Sequence, residues 1–210
     1  MPGKWRSIAA LVLLAPFVTG PASGAEKKVE ITPFIGYRVG GDLPYVEGAS
    51  RATIPESTSY GLMLDFRVER DGFIEVRYSV QKTELDATNS PLGPGQVKVT
   101  DLDVEHWFVG GTYQWETDTM ALPFVSADLG GVRFDAPGFH AKTSFGFSLG
   151  GGVKLPLSKH LAMRFDGRWV SALINGNTDL YCDSSGFCIV ISDGTYFGQF
   201  ELTAGMTFRF

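Results

Sequence analysis

A chain of 210 residues suits one domain, and a formal charge of −5 with 20% charged and 13% aromatic residues argues against disorder and against nucleic acid as a partner. The 26 glycines and 16 phenylalanines suit an all-β protein rich in turns. No run beyond the first 25 residues is long and apolar enough for a membrane-spanning helix.

The first residues read as an export signal. Lys4 and Arg6 form a short basic region, Ile8 to Val18 is apolar apart from Pro16, and Thr19 to Ala25 supplies small residues. An apolar stretch this short before a small-residue site predicts a signal peptide over 1–25, cut after Ala25 or, as the alternative, after Gly24, leaving one domain over 26–210. No acidic residue precedes Glu26, so losing Lys4 and Arg6 leaves 16 Lys and Arg against 23 Asp and Glu, a net charge of −7. An exported chain without a helical span can enter a membrane only as a closed barrel.

Side chains alternate faces along a strand, and eight segments alternate. In Val29 to Val39 the apolar set Val29, Ile31, Pro33, Ile35, Tyr37 and Val39 opposes Glu30, Thr32, Gly36 and Arg38, with Phe34 among the polar set. Tyr60 to Val68 sets Tyr60, Leu62, Leu64, Phe66 and Val68 against Gly61, Met63, Asp65 and Arg67. After the Asp71-Gly72 turn signal, Phe73 to Lys82 sets Ile74, Val76, Tyr78 and Val80 against Glu75, Arg77, Ser79 and Gln81. Val99 to Trp115 is irregular. Asp101, Asp103 and Glu105 oppose Leu102, Val104 and Phe108, but Val109, Tyr113 and Trp115 take the other parity. A β-bulge near His106–Gly110 is the preferred explanation, and aromatics entering the interior at one end the alternative.

Leu122 to Val132 sets Pro123, Val125, Ala127 and Leu129 against Ser126, Asp128 and Gly130. Thr143 to Leu155 sets Phe145, Phe147, Leu149, Gly151 and Val153 against Ser144, Gly146, Ser148, Gly150, Gly152 and Lys154. Leu161 to Ser171 sets Leu161, Met163, Phe165 and Trp169 against Arg164, Asp166 and Arg168. The last segment, Phe200 to Phe210, sets six apolar residues against Glu201, Thr203, Gly205, Thr207 and Arg209.

Links alternate in length. Arg70–Gly72, Glu116–Met120 and Pro156–His160 are short; Gly40–Ser57, Glu84–Gln96, Phe134–Lys142 and Ala172–Thr195 are mostly long. Transmembrane barrels pair short turns at one end with long loops at the other. The expected fold is all-β, an eight-stranded antiparallel up-and-down transmembrane β-barrel. Its interior would hold Glu30, Arg38, Asp65, Arg67, Glu75, Arg77, Asp128, Lys154, Arg164, Asp166, Arg168, Glu201 and Arg209. Eight strands leave an interior that side chains can fill, so these charges are expected to pair as a plug rather than line an open pore. Outward Trp115, Phe208 and Phe210 at one end, and Tyr37, Tyr60, Tyr78 and Trp169 at the other, fit two interfacial aromatic rings.

Several motifs carry a family resemblance: Thr32-Pro33-Phe34-Ile35-Gly36-Tyr37, Val109-Gly110-Gly111-Thr112-Tyr113, Leu122-Pro123-Phe124-Val125 and the ending Gly205-Met206-Thr207-Phe208-Arg209-Phe210. On these the chain resembles the small outer-membrane β-barrels that include the OmpA barrel domain, OmpX and OmpW. The resemblance implies a monomer in a Gram-negative-type outer membrane, both chain ends periplasmic, in contact with outer-membrane lipid and lipopolysaccharide. It also implies that Phe208 and Phe210 form the signal read by the barrel-assembly machinery. It leaves three functions open: a structural or surface-interaction role through the extracellular loops, a narrow channel for small hydrophobic molecules as in OmpW-like members, or lipid A modification.

The candidate chemistry is sparse. Cys182 and Cys188 lie close in the last long loop and, in an oxidising compartment, are expected to form a disulfide. Lipid A deacylases of this kind carry His-x-Ser, whereas His106, His140 and His160 are followed by Trp-Phe, Ala-Lys and Leu-Ala. Asp42, Glu47, Asp86, Asp179, Asp183 and Asp193 lack the spacing of a calcium loop. No catalytic residue, metal or cofactor is expected.

Overall fold

The period-two alternation produces eight long strands: β1 (Val29–Gly40), β2 (Ser57–Arg67), β3 (Gly72–Ser90), β4 (Gly93–Gln114), β5 (Leu122–Asp135), β6 (Lys142–Pro156), β7 (Leu161–Ile174) and β8 (Thr195–Arg209). The computed structural model describes residues 28–43, 46–47, 51–90, 93–137, 141–174, 179–182, 188–191 and 195–210. The expected signal peptide and His140 lie outside them. Each strand pairs antiparallel with the next, and β1 pairs with β8, so the sheet closes as an up-and-down barrel. Closure leaves no sheet edge along the wall.

Pro33 shows how the wall accommodates a residue without an N–H. The β1–β8 ladder skips from Ile31↔Phe208 to Phe34↔Gly205, while the β1–β2 ladder continues through Pro33↔Leu62. Across the gap the hydroxyls of Thr32 and Thr207 share a hydrogen bond of 2.8 Å.

The expected bulge at His106–Gly110 is absent. β4 pairs without a shift against β5 from Asp103 to Gln114, and the irregularities against β3 fall between Leu85 and Asp86 and between Thr88 and Ser90. What changes along β4 is the environment on both sides. Read from the end that carries the short turns, its outward residues run Trp115, Tyr113, Val109 and Trp107, then Glu105, Asp103 and Asp101. Its inward residues run Gln114, Thr112, His106 and Phe108 in the middle, then Val104 and Leu102. β3 inverts likewise, from outward Ile74, Val76 and Tyr78 to Lys82 and Glu84, and from inward Glu75 and Arg77 to Leu85. So does β5, whose outward Val125 and Leu129 give way to Arg133 and Asp135. The turn half has apolar outside and polar inside; the loop half has the reverse, as a water-soluble barrel has.

The other corrections concern the loops. Most of Glu84–Gln96, expected as a loop, extends β3 and β4, which stay paired through Thr88↔Gln96 and Ser90↔Gly93. On its outer face Lys98 Nζ donates to Glu84 (2.5 Å) and Asp101 (2.9 Å). These hydrogen bonds to Glu84 and Asp101 push the ammonium up to about 12. Phe134 and Asp135 belong to β5 and Lys142 to β6, so that link is shorter than expected. Gly40–Ser57 contains the short strands Asp42–Leu43, Val46–Glu47 and Arg51–Thr53; Ala172–Thr195 contains the hairpin Asp179–Cys182 and Cys188–Ile191. Arg51–Thr53 joins the edge of β3, and Val46–Glu47 joins the hairpin. The first loop is thus tied on one side to the β3–β4 extension and on the other to the last loop.

Candidate functional site: the barrel interior

The turn half of the interior holds a continuous ion-pair network. Of the thirteen charges expected inside, Glu30, Arg38, Asp65, Glu75, Arg77, Asp128, Lys154, Arg164, Asp166, Arg168 and Glu201 are buried, whereas Arg67 and Arg209 are half-buried at the turn-end rim. Nearest that rim, Glu30 takes Lys154 at 2.6 Å and the Arg209 guanidinium at 3.3 Å. Above it, Arg164 reaches Asp65 (2.9 Å), Glu75 (2.6 Å) and Asp166 (3.0 Å). Arg168 reaches Glu75 (2.8 Å), Asp166 (3.2 Å), Asp128, and the Ser126 hydroxyl (3.0 Å). Higher still, Glu201 binds Arg38 (2.9 Å), Arg77 and the Ser59 hydroxyl. Arg38 also donates to Ser79 and to the Val104 carbonyl across the barrel (3.1 Å). Carboxylates and cations balance closely. Eight of the eleven buried charges meet more than one of opposite sign, while Arg38, Arg77 and Asp128 each meet one. This pairing offsets the cost of removing them from water.

Three aromatic rings complete this half: Phe34, which the strand reading placed with the polar set, and Phe73 and Phe124, which it left unassigned. Phe34, Phe73 and Phe124 are buried inside. The Arg77 guanidinium lies 4.7 Å from the Phe34 ring centroid, Arg164 lies 4.4 Å from Phe124, and Lys154 Nζ lies 4.7 Å from Phe73. Such stacking adds cation–π attraction to the ion pairs. Parity carried the signal, since Phe73 shares the face of Glu75 and Phe124 that of Ser126.

A layer of uncharged polar groups follows. Gln199 donates to Gln81 (3.1 Å), and Gln81 donates to Ser57 (2.9 Å). His106 is buried against the edge of Phe108, with ring centroids 5.8 Å apart, and neither ring nitrogen has a partner among the described residues. His160 sits in the exposed turn before β7. The loop half above is apolar: Ile54, Leu85, Leu102, Val104, Phe108, Val132, Ala136, Val170, Ala172 and Phe197 pack as one cluster, with Phe134 against it. The strand reading missed this layer because it holds each face to one polarity and ascribes the switch along β4 to a bulge that the register does not contain.

Outside, the aromatic residues form rings near both ends of the apolar band, and the loop-end ring gains Trp107, packed against Tyr78 with centroids 4.1 Å apart and planes tilted by 40°. Phe147 and Trp169 meet edge to face at 5.5 Å. Phe208 and Phe210 face outward at the turn end. Cys182 and Cys188 are cross-strand partners in the register of the last-loop hairpin.

No protein-family model matches the sequence, and no curated protein does. Solved structures match over nearly the whole chain. The outer membrane protein OprG from Pseudomonas aeruginosa aligns with a TM-score of 0.60 at 15% identity, covering 89% of this chain and 98% of that one. Neisserial surface protein A aligns at 0.57 and 15% identity, covering 87% and 97%. Outer membrane protein AlkL aligns at 0.52 and 16% identity, covering 94% and 97%. At these identities the likeness establishes a shared fold, that of the small outer-membrane barrels.

Proposed function

We propose that this chain is an outer-membrane barrel that conducts no ions and serves as a structural anchor and display scaffold, its specificity residing in the extracellular loops. The observation that carries this reading is the combination of an apolar outer band, bounded by aromatic rings, with an interior occupied, among the described residues, by an ion-pair network, a polar layer and an apolar cluster. A hydrated ion would have to part the Glu75–Arg164–Arg168 cluster and then cross an apolar layer, which disfavours conduction. In this reading residues 1–25 are a signal peptide, both ends of the mature chain are periplasmic, and Phe208 and Phe210 are read by the assembly machinery. Outer-membrane lipid and lipopolysaccharide surround a monomer, and Cys182 and Cys188 form a disulfide. The test is a planar-bilayer recording on protein that changes gel mobility on boiling. Mobility shift without conductance steps is the expected result; steady single-channel conductance would overturn the closed interior.

The apolar loop half favours a second reading, entry of small hydrophobic molecules from the loop end. The charged network beneath would turn such a molecule out sideways rather than through. Uptake of a radiolabelled alkane by cells with and without the protein separates the two readings.

A further inference from the structure

His106 takes no part in the network beside it. The residue is 1% exposed, and neither ring nitrogen has a partner among the described residues. Buried polar atoms are nearly always hydrogen-bonded, so a ring placed this way marks a position for a further group. Its surroundings are donors. Ser79 of β3 is its cross-strand partner, and Arg77, two residues before Ser79, stands diagonal to it on the same inward face. Diagonal neighbours on one sheet face come within reach of long side chains. Arg77 Nη1 is buried and has no partner among the described residues. Ser79 accepts from Arg38, which leaves its own hydroxyl hydrogen to donate. A neutral imidazole brings one N–H.

The charge at this height is positive. Arg38 and Arg77 are both buried and share one carboxylate, Glu201, so the tier holds one guanidinium in surplus. The charges that act most strongly on the His106 ring are three cations, Arg38, Arg77 and Arg168, and one carboxylate, Glu201. Toward the turn end the balance reverses. Glu30, Asp65, Glu75, Asp128 and Asp166 meet Lys154, Arg164, Arg168 and Arg209, which leaves one carboxylate in surplus. On the loop side the apolar cluster begins at once with Val104 and Phe108, and such surroundings strengthen the attraction between opposite charges.

We propose that Arg77, Ser79 and His106 bind one small monovalent inorganic anion, a halide, within the barrel. One negative charge matches one surplus guanidinium, and the three donors offer it hydrogen bonds in place of water. The ion goes no further, because surplus carboxylates stand beneath it and apolar side chains above. Occupancy is therefore compatible with a barrel that conducts no ions. The inference needs the closed interior and is independent of any role of the loops.

The test refolds the protein in detergent with sodium bromide or, at equal ionic strength, sodium gluconate, a six-carbon anion too large for the site. Heat-modifiability is checked on every sample. After gel filtration into gluconate, X-ray fluorescence reads bromine against the sulfur of the chain. In parallel, the conversion temperature of the folded band is compared between the two salts, since an ion that binds only the folded state raises it. Wild type is expected to retain one bromide per chain, or to convert at higher temperature in bromide if the ion exchanges during filtration. Arg77→Gln removes the surplus charge and should lose both signals, as should His106→Phe. His106→Gln keeps a donor and should retain them, as should His160→Phe in the exposed turn. If Arg77→Gln fails to fold, the two His106 variants carry the test. Neither signal in a heat-modifiable wild type, or equal signals in wild type and the folded Arg77→Gln and His106→Phe variants, overturns the site alone. A wild type that is not heat-modifiable overturns the closed interior and the site with it.

Discussion

Glu75 and Arg168 meet at 2.8 Å although they stand on β3 and β7, strands on opposite sides of the eight-stranded barrel. Glu75 also takes Arg164 at 2.6 Å and the Thr112 hydroxyl at 3.2 Å, so one carboxylate spans the interior. Replacing Glu75 by Leu leaves two guanidinium groups buried beside each other. Breaking a buried pair in this way costs about 3–5 kcal/mol. The folded band on an unboiled gel should convert at markedly lower temperature or urea than wild type; unchanged conversion would mean the network contributes nothing to closure.

The inverted polarity of the loop half makes a paired prediction. Leu102 is buried inside and Asp103, its neighbour, faces out. Leu102→Asp places an unpaired charge in the apolar cluster and should open the loop half to protease while the turn half stays heat-modifiable. Asp103→Asn should leave the cleavage pattern unchanged.

The facing of the turn half is tested by charge. Leu202 is 57% exposed on β8, opposite Gly167 on β7 and Tyr37 on β1. If it meets mid-bilayer lipid, Leu202→Arg should impair insertion by about 2–4 kcal/mol. Folding yields into lipid vesicles measure this, and a yield equal to wild type would place Leu202 away from lipid.

Two glycines separate backbone crowding from open space. A Cβ on Gly130 would collide with the Trp107 carbonyl oxygen, whereas one on Gly111 would have nothing closer than the Phe73 carbonyl at 3.8 Å. Gly130→Ala should therefore cost assembly, and Gly111→Ala should stay within about 0.5 kcal/mol of wild type. Refolding yield of the two variants, side by side, is the measurement.

Cys182 and Cys188 face each other across an antiparallel ladder, where Cα separations of about 4.5–5.5 Å fall within disulfide range. Protein purified without reductant should be two hydrogens lighter than the reduced form and should resist alkylation until reduced. Immediate labelling of both thiols would argue against the bond.

The face of each side chain was legible in the sequence because alternation is local. Period two assigns Glu75, Arg77, Arg164, Asp166 and Arg168 to one side of their strands wherever those strands end up, and closure puts that side within. Loop composition marked where strands reverse, except at Glu84–Gln96, where two strands stay paired past the wall. What lies on each side of the sheet is not local. β4 keeps its alternation from Leu102 to Trp115 while both environments exchange, which gives the sequence the pattern of a bulge where none exists. Only the closed barrel decides which charges meet. Glu75 reaches both Arg164 and Arg168 because register and strand tilt bring these positions to one height across the interior, a relation between strands that no single strand encodes.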